Sequence, residues 1–219
     1  MVRRLSRAAG LLALAITGFV LPAAASTVSV QVTPAGITGI SGFSGATIET
    51  FDSAPTGTFT SPVTLGNTTY SVNSGAASHI DGDFIGQYNN FGVNSLHNCY
   101  CDDSFSSLTF TFSQPVNAFG FHWGASDNQW TLSAYDASNT LLESFNLPIT
   151  NGSNAGDFVG LIDAGIKYAV LSGDAGDYIF VDNVATTGVS TVPLPAGLPM
   201  FGTAVLMLGA IAWRRHRLS

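Results

Sequence analysis

The chain has 219 residues, 46% of them hydrophobic and only 10% charged, and a net charge of −7. The charges are segregated: Arg3, Arg4 and Arg7 lie at the start, Arg214, Arg215 and Arg217 at the end, and between them Lys167 alone faces all 14 acidic residues, a net of −13. So acidic a middle repels phosphate backbones, which weighs against nucleic acid as a partner, and it attracts divalent cations.

The first predicted element is "MVRRLSRAAGLLALAITGFVLPAAAS". Three arginines, an apolar run from Ala8 to Leu21, then Pro22 and three alanines read as a secretory signal peptide over residues 1–25. The run falls short of the roughly 20 residues of a membrane-spanning helix. An exported chain enters a space in which disulfides persist.

Residues 26–188 make up the predicted domain. No segment in it has the spacing of an amphipathic helix, and turn signals recur about every ten residues, the pattern of an all-β antiparallel sandwich. Near its start "IETFDSAPTG" supplies Glu49 and Asp52. "SAPTGTFTSPVTLGN", rich in Pro, Gly and Thr, is predicted as loops around one short edge strand. "SHIDGDFIGQYNNFGVNSLHNCYCDDS" has little periodicity, and a loop of roughly 27 residues in a domain is usually functional or mobile. Within it, "DGD" at Asp81–Asp83 is a weak cation candidate, since the same residues make an ordinary turn.

In "LHNCYCDD", Cys99 and Cys101 are the chain's two cysteines, and the first reading is a small, strained disulfide between them. Intermolecular pairing or free thiols come next. A soft-metal cluster of His97, Cys99 and Cys101 beside Asp102 is the third reading, because zinc motifs space their cysteines more widely and repeat them.

The second half of the domain alternates cleanly. "SSLTFTFS" sets Leu108, Phe110 and Phe112 on one face, "VNAFGFHW" sets Phe119, Phe121 and Trp123 opposite Gly120 and His122, and "QWTLSAYD" sets Trp130, Leu132 and Ala134 inward. "DAS" with Asn139 is a hairpin turn into "LLESFNL"; "GIKYAVLSG" and "DYIFVDNV" complete the strands. Both tryptophans fall on apolar faces, so Tyr88 and Tyr100, in the long loop, are the better candidates for stacking on sugar rings.

The chain closes on "VPLPAGLPMFGTAVLMLGAIAWRRHRLS". Leu194 to Trp213 is long enough to cross a bilayer, with its prolines at the outer end and its arginines inside. Residues 189–219 resemble the VPLPA variant of the PEP-CTERM sorting signal: Val192, Pro193, Leu194, Pro195 and Ala196, then an apolar helix, then a basic tail, without the glutamate of the parent motif. The resemblance implies a Gram-negative surface protein, held in the inner membrane by one transmembrane helix, processed by an exosortase-type enzyme and released to the cell surface or matrix.

The stretch "AFGFHWGASDNQWTLSAYDASNTLLESFN", with "DYIFVDNV", resembles extracellular jelly-roll domains of PEP-CTERM proteins and, more loosely, carbohydrate-binding β-sandwiches. This implies a jelly-roll-like sandwich. It also implies a structural calcium between the first and last strands, for which Glu49, Asp52, Asp182 and Asn183 are the ligands available. The plainer alternative is a turn cap at Asp182 and a solvated charge at Glu49. No hydrolase elbow, zinc-protease helix or phosphate loop is present. The expectation is therefore a non-enzymatic secreted or cell-surface protein of the extracellular matrix, or else a module that recognises surface polysaccharide.

Overall fold

The computed structural model describes residues 25–98 and 104–188. The signal peptide, the sorting segment from Val192 to Ala196, Cys99, Tyr100 and Cys101 lie outside the described residues. No helix among the described residues is long and apolar enough to cross a membrane.

The fold is all-β and antiparallel, as the alternation predicts. Twelve strands pair into a sandwich-like arrangement, and one 3-10 turn, Pro34–Gly39, is the only helical element among the described residues. One layer takes β4 (Val63–Leu65), β5 (Thr68–Val72), the first half of β8 (Ser107–Gly124), the second half of β11 (Asp157–Ser172), β9 (Thr131–Tyr135) and β10 (Leu141–Asn146). The other takes β1 (Ser26–Gln31), the first half of β11, the second half of β8, and β12 (Phe180–Gly188). β12 carries on its far edge both β2 (Thr47–Glu49) and β7 (Ser95–Asn98), and β7 leads on to β6 (Ser78–Asp81) and β3 (Gly57–Phe59).

Strands β8 and β11 thus serve both layers. Pro115 lies where β8 turns over, and the β8–β11 register shifts around Ile166, opposite Val116. A proline donates no ladder hydrogen bond, so a turning point suits it. Folding over brings Phe110 against Phe119 and Phe121 of its own strand, with ring centroids 4.8 and 5.4 Å apart. These rings, with Trp123, Trp130 and Leu132, fill the space between the layers and are fully buried. Both tryptophans are core, as their alternation predicts.

Two expectations need correction. The long aperiodic stretch contains β6 and β7, paired in register, and the Pro/Gly/Thr-rich stretch contains two three-residue strands, β3 and β4, rather than one. Each of these strands turns too few apolar residues inward for a period to register: Ile80 in β6 and Leu96 in β7 are the core contacts. The hairpin at Asp136 forms as expected: Asp136 Oδ1 accepts the Ser138 and Thr140 N–H groups, and Asn139 takes the left-handed conformation at φ 62°.

Candidate functional site

Cross-strand register decides what the second layer shows on its outer face. His79 pairs with His97, Asp81 with Ser95, Phe180 with His97, and Asp182 with His122. Ile80, Leu96, Val181 and Trp123, one step along each strand, point into the core. Strict alternation then places His79, Asp81, Ser95, His97, Phe180, Asp182 and His122 together on the outer face. The His122 imidazole is held below its usual pKa by burial, against the pull of the Val32 carbonyl it bonds at 2.8 Å and the Asp157 carboxylate.

Residues 82–94, between β6 and β7, lie over this face. Phe91 covers His122 at a centroid distance of 4.6 Å, and Tyr88 stacks parallel on Phe180 at 5.9 Å. The backbone of the segment is pinned by acids. Asp182 Oδ2 accepts the Phe91 N–H at 2.7 Å, and Asp52 Oδ1 accepts those of Val93 at 2.6 Å and Asn94 at 3.2 Å. Asn89, buried to 1% exposure, donates to the Trp123 carbonyl and to Asp157 and accepts the Gly156 N–H. Gly124 permits the close approach, since a Cβ there would run into the Tyr88 carbonyl.

Of the residues predicted for calcium, Glu49 lies on β2 and Asp182 and Asn183 on its neighbour β12, with Glu49 opposite Val184. Their carboxylates, however, face backbone N–H groups. Glu49 takes that of Phe51, Asp182 takes those of Phe91 and Asn183, and Asp52 takes those of Val93 and Asn94. The three carboxylates do not converge within 4.8 Å of one another. As arranged they hold backbone N–H groups of the covering loop and of their own turns. Burial, with the charges of Asp52 and Glu49, pushes the Asp182 carboxyl up to about 8, against the pull of its two N–H donors.

Beside the pinned segment runs an open groove of about 230 Å³ lined by Tyr88, Ala125, Asp127, Asn151, Gly152 and Tyr178. Tyr88 and Tyr178 are half-buried, while Asp127 and Asn151 are exposed. Phe84, 45% exposed, packs edge-on against both tyrosines at 5.5 and 6.0 Å. Burial and the charges of Asp83, Asp81 and Tyr88 raise the Tyr178 phenol, which stays protonated and can both donate and accept. The backbone is strained here: Phe84, Tyr88, Asn89, Ala125 and Asn151 all have positive φ between 44 and 64°. A larger hollow, about 370 Å³, lies at the opposite end near Pro115 and Gly188 and is lined by no aromatic or charged side chain.

Of the predicted site residues, the structure thus puts Tyr88 at a groove and finds it a partner, Tyr178, that sequence reasoning missed. Asp127 and Asn151 were missed too, as was the buried Asp177 that anchors their end of the fold. Asp177 accepts the Asp127 and Asn128 N–H groups and the Trp130 indole N–H at 2.9, 3.1 and 2.7 Å. The available signal was the "DYIF" run, which places Tyr178 two residues before Phe180 and so on the same side of the chain. His97 meets Asp81, with Nε2 2.9 Å from Oδ1, while the cysteines it was grouped with lie outside the described residues.

No family model and no curated protein matches the chain. Among solved structures it is similar to a family 61 carbohydrate-binding module in complex with β-1,4-galactotriose, at 17% identity and a TM-score of 0.32, over 55% of this chain and 88% of that one. A family 6 carbohydrate-binding module gives 17% and 0.33 over 54% and 86%. The catalytic domain of a GH87 α-1,3-glucanase in complex with nigerose gives 21% and 0.33, covering 68% of this chain but 30% of its own. Likeness at this level assigns no role to any residue.

Proposed function

We propose that the chain is an exported, non-enzymatic jelly-roll-like surface protein that binds saccharide units of an extracellular polysaccharide in the Tyr88–Tyr178 groove. The observation that carries the reading is the groove itself. Two half-buried tyrosines flank an open channel with a carboxylate, Asp127, and an amide, Asn151, on its wall. Sugar rings present apolar C–H faces and hydroxyl edges, and aromatic faces with a few polar groups match both. The pinned loop and strained backbone fit a preorganised site, which lowers the ordering cost of binding.

Delivery belongs to the same proposal: a signal peptide over 1–25 and a sorting segment over 189–219, handed to an exosortase-type enzyme. Intact mass of the surface form tests this part. A species that starts after residue 25 and ends short of Ser219 is the expected result, and one that still ends at Ser219 overturns the processing step.

A glycan array probed with the purified chain, followed by calorimetry on the retained saccharide, tests the binding. Asn151→Ala and Tyr88→Ala are each expected to weaken binding about tenfold, roughly 1.4 kcal/mol. Asn151 is exposed, but its φ of 44° is one that alanine adopts at a cost, so circular dichroism and thermal melting of the variant check that it is folded. No retained glycan, or unchanged affinity in both variants, overturns the reading.

A further inference from the structure

On the outer face of β6 and β7, beside the groove, three potential ligand atoms from Asp81, Asp83 and His97 lie within 4.8 Å of one another. The imidazole of His97 is almost wholly buried, with a side-chain exposure of 4%, while Asp81 is 35% exposed and Asp83 is open to solvent. The cluster therefore has a fixed nitrogen at its floor and carboxylates at its mouth.

A neutral His97 ring is one proton short for the two acceptors that lie within 3 Å of its nitrogens. Its Nδ1 lies 2.8 Å from the Asn98 carbonyl oxygen, an acceptor only, and its Nε2 lies 2.9 Å from Asp81 Oδ1, an acceptor only. A neutral imidazole has a single N–H. Once Nδ1–H is given to Asn98, the Nε2 lone pair faces a carboxylate lone pair, and only a positive charge between them makes that contact favourable. The Nδ1–H to carbonyl bond is also the contact that orients a metal-ligating histidine and fixes its tautomer. Two ligand atoms 2.9 Å apart, each at about 2.1 Å from a cation, subtend roughly a right angle there, which metal coordination accepts.

A second observation points to the same place. Ser95 lies directly across the ladder from Asp81, its side chain on the same face, and its hydroxyl is fully buried with no hydrogen-bond partner. An oxygen so placed is a further donor for a ligand in this corner.

We propose that Asp81, Asp83 and His97 bind a divalent transition-metal cation of the zinc class. One imidazole and two carboxylates are a nitrogen–oxygen set that suits zinc, whereas calcium and magnesium take oxygen alone. Three protein ligands leave coordination positions open on the Asp83 side. The site adjoins the groove through Tyr178, whose hydroxyl is 3.3 Å from His97 Nδ1. The inference stands apart from the saccharide reading, because the metal is measured with no sugar present.

The test strips the full chain with a chelator and titrates zinc chloride by calorimetry, alongside 15N spectra of the histidine rings. One zinc per chain is expected, with the His97 Nε2 resonance shifting on binding and Nδ1 staying protonated. Asp83→Asn, at an exposed position, is expected to weaken zinc at least tenfold with an unchanged melting temperature. His97→Gln should abolish binding, with circular dichroism to confirm that the variant is folded. Absence of zinc binding overturns the proposal and leaves a His97–Asp81 hydrogen bond. Zinc bound equally by both variants also overturns it, since the metal would then sit elsewhere, as would a His97 Nε2 resonance that does not move.

Discussion

Two segments cover the outer face of the second layer, and they do it in opposite ways. Around Pro34–Gly39 the covering is apolar: Ile37 and Phe43, fully buried, pack on Ala118, Phe158 and Ala185. Gly120 and Gly160, paired across β8 and β11, make the seat. A Cβ on Gly160 would come within 3.0 Å of Phe43, and one on Gly120 within 2.7 Å of Phe158. Residues 82–94 instead bury polar and titratable groups, among them His97, Asp182 and Asn183, and are held by side-chain bonds to backbone N–H groups. Both coverings use the same strands and the same alternation. The first contributes stability, at about 1.5–3 kcal/mol per large apolar side chain buried. The second gives stability up, because buried carboxylates and amides need compensation. The groove and the metal cluster both lie at the second.

If that division holds, breaking the first covering costs the fold, and breaking the second costs the sites. Phe43→Ala empties the glycine seat and is expected to destabilise the chain by about 3–5 kcal/mol, the range for truncating a buried phenylalanine. Urea unfolding measures it; a loss below about 1 kcal/mol would mean the plug is not structural. Gly124→Ala acts at the other covering. Its Cβ would strike the Tyr88 carbonyl, so the loop must lift. The expected cost is smaller, about 1–3 kcal/mol. The larger sign is local, with faster hydrogen exchange at the Phe91, Val93 and Asn94 amides and loss of groove binding. Amides that stay as protected as in the wild type would show that Gly124 is not what lets the loop lie down.

How much was legible in the sequence follows the same line. The inner faces were, because Leu108, Phe110 and Phe112, and then Phe119, Phe121 and Trp123, alternate over whole strands, and burial enforces that period. The turn at Asp136 was, since its chemistry is local. The apolar plug was not: Phe43 is a lone aromatic in a Gly/Ser stretch, and its seat is made by glycines from distant strands. Nor was the site end of the molecule. Tyr88 stood out as a loop aromatic, but Asn89, Asp177 and Tyr178 act through partners from 34 to 81 residues away, and no spacing rule links them. Glu49, Asp52 and Asp182 were singled out by residue type and by their places near the first and last strands. What sequence could not show is that their oxygens turn to backbone amides.

The smallest expected effect tests the electrostatic side of the comparison. In the unfolded chain Asp182 ionises near pH 4, as any aspartate does. Folded, it holds its proton up to about 8, because it is buried and faces Asp52 and Glu49. The His122 opposite it is pushed toward neutrality by its own burial. Below pH 4 both states are protonated and Asp182 contributes nothing to the difference. As the pH rises from 4 to 8 the unfolded chain releases the proton while the folded chain keeps it, so stability falls; above 8 the penalty is complete. Asp81 and Asp157, whose carboxyls are lowered, act in the opposite sense in acid, and His122, whose imidazole is lowered, does so as the pH rises to the ordinary histidine value of about 6.5, so the window from pH 6.5 to 8 isolates Asp182. Glu49→Gln keeps an oxygen for the Phe51 N–H and removes one repelling charge. It should flatten the fall and stabilise the chain at pH 8 by about 0.2–1 kcal/mol, the scale of a partly exposed charge interaction. Urea midpoints across the window read both effects. A midpoint that does not decline in the wild type, or a decline that Glu49→Gln leaves untouched, would place the cost of the polar covering in some group other than Asp182.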